Sequence, residues 1–245
     1  MSVMEHPTRL PGLSVFFPAK DEAENVEAVV QDALRILPDV ADRFQVTVVD
    51  DGSTDLTGAI ADRLAAADPR VRVIHHDTNR GYGGAVRSGL LAAVEPYIFY
   101  TDGDQQFDLA DLPRLIARIG EADVVVGYRL KRMDPRRRLV VAWVYNRIIR
   151  TLFGVGVRDV DCAYKLFRRD VFTRVPLTRV HSNGAFFSPE LLITLRAAGV
   201  RIVEVGVPHY PRTKGAPKGA PPKVILRAIR DLLLLRLSLW LRPGS

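Results

Sequence analysis

The chain has 245 residues, enough for one α/β domain with a sizeable core and too few for two comfortable ones. Its formal charge of +7 favours an anionic partner. Because aromatics are not interleaved with the basic clusters and no nucleic-acid motif is present, nucleic acid is set aside. A single cysteine, Cys162, excludes an intramolecular disulfide and any Cys-based metal cluster; it reads as a small buried hydrophobe in a reducing compartment.

In chain order, the opening MSVMEHPTRLPG lacks the apolar core and cleavage site of a secretory signal, so the chain is expected to stay in the cytosol. Apolar and β-branched runs predict strands near 13–17, 44–50, 71–75, 96–101 and 122–127. Helical patterns fall between them near 23–37, 55–67, 84–94 and 111–119. Ser53-Thr54-Asp55, and Asp111 with Pro113 in the next turn, are suitable helix starts. This βαβα alternation implies a mostly parallel sheet between two helical layers.

The second half is less regular. KRMDPRRR, 131–138, reads as a basic loop, 139–153 as an apolar helix, and PRTKGAPKGAPPK, 211–223, as a Pro-, Gly- and Lys-rich linker. The division expected is therefore 1–222 for the α/β domain and 223–245 for an amphipathic helix. In VILRAIRDLLLLRLSLWLR, 224–242, Lys223, Arg227, Arg230, Asp231, Ser238 and Arg242 fall on one side and leucines cover the rest, with Arg236 landing near Trp240. Its charges leave no apolar run able to span a bilayer, which favours a helix lying in the membrane interface. Packing on this domain or on a twin subunit is the alternative.

Three predicted strands end in acids. Leu13 to Phe17 runs into Pro18-Ala19-Lys20-Asp21-Glu22, Val46 to Val49 into Asp50-Asp51-Gly52-Ser53-Thr54-Asp55, and Tyr97 to Tyr100 into Thr101-Asp102-Gly103-Asp104-Gln105-Gln106. Strand ends of an open parallel sheet line up on one edge, where ligands bind. Asp102 and Asp104 can share one hard divalent cation, Mg²⁺ or Mn²⁺, with Gln106 further along the same segment. Loop acids and helix caps are the structural alternative for such pairs.

In that order the segments resemble family-2 glycosyltransferases of GT-A fold. PAKDEAENV is similar to the family's PxYNExEN opening, VVDDGSTD to its nucleoside loop and DGDQQ to its D-x-D-x-Q metal motif. VGYRL resembles the GSR segment, DVDCAYKLFRR the DxTSGFRLYR segment, GAFFSPELL the GYxFxxELL segment, and PRTKGAPK stands at R-x-x-G-x-SK. The resemblance covers roughly 12–220 and is nearest to the polyprenyl-phosphate (dolichol-phosphate) sugar transferases.

What the resemblance implies is inverting transfer of a hexose from a UDP- or GDP-sugar to a polyprenyl phosphate at the cytoplasmic membrane surface. Asp104 would be the direct metal ligand, Asp102 would face ribose or metal, and Gln106 would complete the site. Pro18, Ala19 and Glu22 would line base and ribose, Asp51 would read the base, and Arg129 would clamp the diphosphate, a solvated loop arginine being its alternative. Lys20 and Asp21 replace the usual Tyr and Asn, which leaves the base open. Asp159 and Asp161 flank the catalytic, acceptor-side segment with Tyr164 and Lys165, and Glu190 matches a family Glu with a capping alternative. Arg212, Lys214 and Lys218 are the candidates for holding the acceptor phosphate. A hydroxyl acceptor would need a base, from Asp159 or Asp161, whereas a lipid phosphate would not. A non-catalytic membrane-binding protein on the same fold is the rival from another class. NRGYGGAVRSG, 79–89, departs from a dinucleotide fingerprint and is expected to let a helix pack tightly, and the histidines are expected to be structural.

Overall fold

The computed structural model describes residues 9–131, 136–212, 214, 230–232 and 235–236. Seven strands form one sheet: β1 (Leu13–Ala19), β2 (Phe44–Asp50), β3 (Val71–His75), β4 (Tyr97–Tyr100), β5 (Val124–Arg129), β6 (Lys165–Arg168) and β7 (Ile202–Val207). Their spatial order is β3-β2-β1-β4-β6-β5-β7. Neighbours pair parallel except β6, which runs antiparallel to both β4 and β5.

Alternate strand residues feed opposite faces, as a pleated strand requires. Phe16, Val49, Ile98 and Tyr100 enter one core with α3 (Tyr82–Ala92), α5 (Arg136–Phe153) and α7 (Phe187–Ala197). Val15, Phe17, Val48 and Phe99 enter the other with α1 (Val26–Val40), α2 (Thr57–Ala67) and α4 (Leu112–Ile119). The result is a three-layer α/β sandwich. A one-turn α6 (Val171–Arg174) follows β6.

Two features position the site. The chain leaves β1 toward β2 on one side while β4 lies on the other, so the crevice between β1 and β4 is a topological switch point. The reversed β6 pairs its first residue, Lys165, with Tyr100 at the end of β4. The loop before β6, carrying Asp159 and Asp161, therefore reaches the same edge as the ends of β1, β2 and β4. A uniformly parallel sheet would have put that loop at the opposite edge.

The tail is described only in part. Residues 230–232 and 235–236 are helical; Leu232 is buried in the α3/α5/α7 core and Leu235 packs against it. The rest of 224–242, with Arg227, Trp240 and the predicted interfacial face, lies outside the described residues, as does Lys218.

Candidate active site

The loops after β1 and β2 are laced together. Lys20 Nζ donates to Gly52 O at 2.5 Å, and Asp21 N donates to Ser53 Oγ at 2.9 Å. Thr54 N donates to the Asp21 carboxylate at 2.7 Å, holding that group below the usual carboxylate range. Asp21 takes a left-handed φ of 51°, which turns the chain sharply after the strand and brings Glu22 inward. Pro18 and Ala19 close β1 beside Val49 and Asp50, at the edge of this laced unit.

Asp51 is buried, and three donors converge on it. Oδ1 accepts from Arg80 N at 2.8 Å and lies 2.7 Å from His76 Nδ1, while Oδ2 accepts from Gly81 N at 2.9 Å. His76 in turn lies 2.9 Å from Ser88 Oγ on α3. Asp51 thus fixes the 79–81 loop, and only the remaining lone pair of Oδ2 is left for a base N–H.

Asp102 and Asp104 follow β4 and come together as a half-buried pair. Burial first, then the charge of Asp104, pushes Asp102 up to about 7. Burial likewise raises Asp104, opposed by the Gln106 amide and the Arg212 charge. Two carboxylates held this way lack a full complement of positive charge. Their donor set, hard oxygens with the remaining coordination positions left to phosphate and water, fits Mg²⁺ or Mn²⁺. Among the described residues no cluster of three or more His, Cys, Asp or Glu side chains could hold an ion unaided, so a metal here would lean on the diphosphate. Gln106 turns elsewhere: its Nε2 donates to Tyr210 O at 3.3 Å and its carbonyl accepts from Tyr210 N at 2.9 Å.

The structure separates Asp159 from Asp161. Asp159 is buried and takes both arms of Arg129, at 2.6 and 2.7 Å, a bidentate pair. Burial pulls the Arg129 guanidinium toward deprotonation and the Asp159 bonds outweigh it, raising it above its ordinary value. Asp161 is exposed; burial first raises the hydroxyls of Tyr82 and Tyr145, and the charge of Asp161 adds to both.

Three predicted acceptor-side residues have interior partners instead. Lys165 is fully buried, its ammonium bonded to Val160 O and Ser188 Oγ at 3.3 and 2.8 Å and to Cys162 O, so it supports the 159–162 loop from beneath. Tyr164 is buried with its hydroxyl donating to Asp108 O at 2.9 Å. Glu190 accepts from His181 N and Ser182 N, both at 2.8 Å, so it holds the loop before α7 rather than capping a helix. Arg212 does reach the site, with Nη2 2.6 Å from Glu22 and Nη1 3.4 Å from Asp104. Lys214 stays exposed, and its carbonyl accepts from Arg212 Nε at 2.7 Å.

The sequence matches Glycosyl transferase family 2 over residues 14–175, two thirds of the chain and all three acidic strand ends. The chain belongs to glycosyl transferase family 2. Curated relatives include glycosyltransferase AglD of Haloferax volcanii, 36% identical over 82% of this chain and 33% of its own length. They also include the polyprenol monophosphomannose synthase of Mycolicibacterium smegmatis (34% identical; 83% of this chain, 79% of that one) and the undecaprenyl-phosphate mannosyltransferase of Micrococcus luteus (32%; 74% and 78%). The chain therefore spans a third of AglD and about four fifths of the other two. Glucosyl-3-phosphoglycerate synthase of Mycobacterium tuberculosis, solved with Mn²⁺ and UDP, shares the fold, with a TM-score of 0.69 at 20% identity over 96% of this chain and 82% of that one.

One residue of the candidate site escaped the sequence reading: the Tyr82 hydroxyl hydrogen-bonds Asp102. His76, which buttresses Asp51, has the structural role expected of the histidines. The signal for Tyr82 was NRGYGG, 79–84, in the loop that follows β3. Gly81, with φ 86°, lets the chain turn so that Tyr82 opens α3 beneath the acidic pair.

Proposed function

We propose that this glycosyltransferase moves a hexose, with inversion, from a UDP- or GDP-sugar to a polyprenyl phosphate at the inner face of a membrane, with a divalent metal. The observation that carries this reading is the half-buried Asp102–Asp104 pair at the switch point between β1 and β4, whose only partly offset charge suits a cation bound with a diphosphate. The polyprenyl acceptor is supported by the names of the Mycolicibacterium and Micrococcus relatives.

Asp104 and Asp102 would hold the ion, with Tyr82 fixing the Asp102 carboxylate. The ion would supply Lewis acidity to the departing diphosphate, worth several kcal/mol. Glu22, Pro18 and Ala19 would shape the nucleoside side of the pocket. Asp51 would hold the 79–81 loop against it and offer Oδ2 to a base N–H. Arg129, tied to Asp159, would set the floor beneath the leaving group and orient the loop that carries Asp161.

A phosphate monoester is already anionic near neutral pH, so one of its oxygens can attack the anomeric carbon from the face opposite the departing diphosphate with no base to remove a proton. Arg212 and Lys214 would steady it. An exposed Asp161 beside two tyrosines also keeps open transfer to a hydroxyl, for which Asp161 would be the base. A turnover screen separates the two: UDP- and GDP-sugars with Mg²⁺ or Mn²⁺ are offered a short polyprenyl phosphate or the matching polyprenol. Product from the phosphate alone is expected. Product from the alcohol would transfer the assignment to the hydroxyl reading, and Asp104→Asn turning over fully in chelator would remove the metal.

A further inference from the structure

The guanidinium of Arg212 lies between carboxylates from two different loops, 2.6 Å from Glu22 Oε2 and 3.4 Å from Asp104 Oδ2. All three side chains are shielded, at 12%, 8% and 14% exposure for Arg212, Glu22 and Asp104. The segment that carries it is docked on the acidic loop by the reciprocal bonds between Tyr210 and Gln106, at 2.9 and 3.3 Å. A tethered cation therefore rests on an oxygen of the residue best suited to ligate the metal.

We propose that Arg212 is an internal counter-cation, a latch that holds segment 209–212 closed over Asp104 until the metal–nucleotide complex displaces it. This rests on the metal-dependent reading above. With no ion bound, Arg212 offsets part of the charge of the half-buried acidic pair and stabilises the ionised form of Asp104. A divalent ion on the same carboxylate competes for that oxygen and repels the guanidinium. Glu22 still keeps the bond from Asn25 Nδ2, at 2.7 Å, so its carboxylate stays hydrogen-bonded after release. The freed guanidinium next meets phosphate, for which its planar fork is suited. Donor loading and opening of the acceptor side are then one event, and the donor binds first.

The test is Mn²⁺ titration of the full chain, followed by the electron paramagnetic resonance signal of free Mn²⁺, for the wild type, Arg212→Gln and Arg196→Gln. A latch closed about 90% of the time weakens apparent affinity about tenfold, so Arg212→Gln should bind Mn²⁺ about tenfold more tightly. Arg196→Gln removes the same charge from an exposed position in the last turn of α7 and should stay within about twofold of wild type, because solvent and salt screen it. In the wild type, Mn²⁺ with UDP or GDP should raise hydrogen exchange at the Tyr210 amide. If wild type binds Mn²⁺ and Arg212→Gln binds it no more tightly, the latch is overturned while the metal reading stands. If no variant binds Mn²⁺, with or without UDP or GDP, both fall.

Discussion

At the residue scale, the acidic pair ties stability to pH with a definite sign. The Asp102 carboxyl, pushed by burial up to about 7, sits above its value in the unfolded chain. It contributes stability that is complete below about pH 4 and is lost as pH rises toward 7, because the unfolded state gives up that proton first. The stability difference between wild type and Asp102→Asn should therefore shift against the wild type from pH 4.5 to pH 7.5 without metal, and Mn²⁺ should reverse the shift at pH 7.5. Denaturant melts at the two pH values, with and without Mn²⁺, check this; a pH-independent difference would mean an ordinary carboxylate. The neighbouring acids separate by another measurement. Removing the Arg129 side chain takes the bidentate ion pair from buried Asp159, so Arg129→Ala should cost about 1.5–3 kcal/mol. Asp161 is exposed, and Asp161→Asn should cost well under about 1 kcal/mol of stability. Equal destabilisation by the two variants would refute the separation of roles.

At the scale of elements, α3 carries Tyr82 to the acidic pair because its glycines let it lie close on its neighbours. A Cβ on Gly89 would come within 2.2–2.5 Å of the Phe16 ring, and one on Gly83 within 2.5 Å of Phe187 Cβ. Phe16 is stacked on Tyr100, centroids 5.2 Å apart in the core, and has no room to retreat. Gly89→Ala should destabilise by about 1–3 kcal/mol despite alanine's better helix propensity, and Gly156→Ala, which meets nothing within 4 Å, should be close to neutral. Thermal melts of the two variants check this, and equal melting temperatures would remove the packing argument. The tight helix was legible in NRGYGGAVRSG, as were β1 to β5, whose β-branched runs end in acids and turn residues. What could not be read was β6. Lys165 looks polar in sequence but is fully buried, so LFR beside it shows no alternation, and the antiparallel step that brings Asp159 to the active edge is a property of the whole sheet. β7 was hidden by Glu204, whose carboxylate accepts from Arg158 N at 2.6 Å. Asp51 and Glu190 were legible as acids at the right place, but their donors are backbone amides of distant loops, which motif spacing does not reveal.

At the scale of the molecule, no described helix is long and apolar enough to cross a membrane, yet one surface is unusually apolar. On α5, Val144, Ile148 and Leu152 form an exposed row at i, i+4 spacing, beside Trp143, which is 67% exposed. The opposite side of the helix turns inward: Ile149 is fully buried, Asn146 accepts from Val160 N at 3.0 Å, and Tyr145 senses the charge of Asp161. The apolar row thus backs onto the loop assigned to the acceptor. Arg147 on the exposed side and the formal charge of +7 complement an anionic lipid surface, so the occupant expected on this face is membrane interface. Burying one large apolar side chain is worth about 1.5–3 kcal/mol, so Trp143→Asp should weaken binding to vesicles containing anionic lipid by about tenfold or more. Nucleotide binding with Mn²⁺ should survive, because Trp143 lies on the exposed side of α5. Raising ionic strength should weaken the wild type on anionic vesicles more than on neutral ones, since the charge contribution is screened and the apolar one is not. Vesicle flotation and sedimentation equilibrium on the same samples decide the matter: a variant that floats as well as wild type, or a wild type that ignores vesicles and dimerises until Trp143→Asp makes it monomeric, would assign this face to a second copy of the chain.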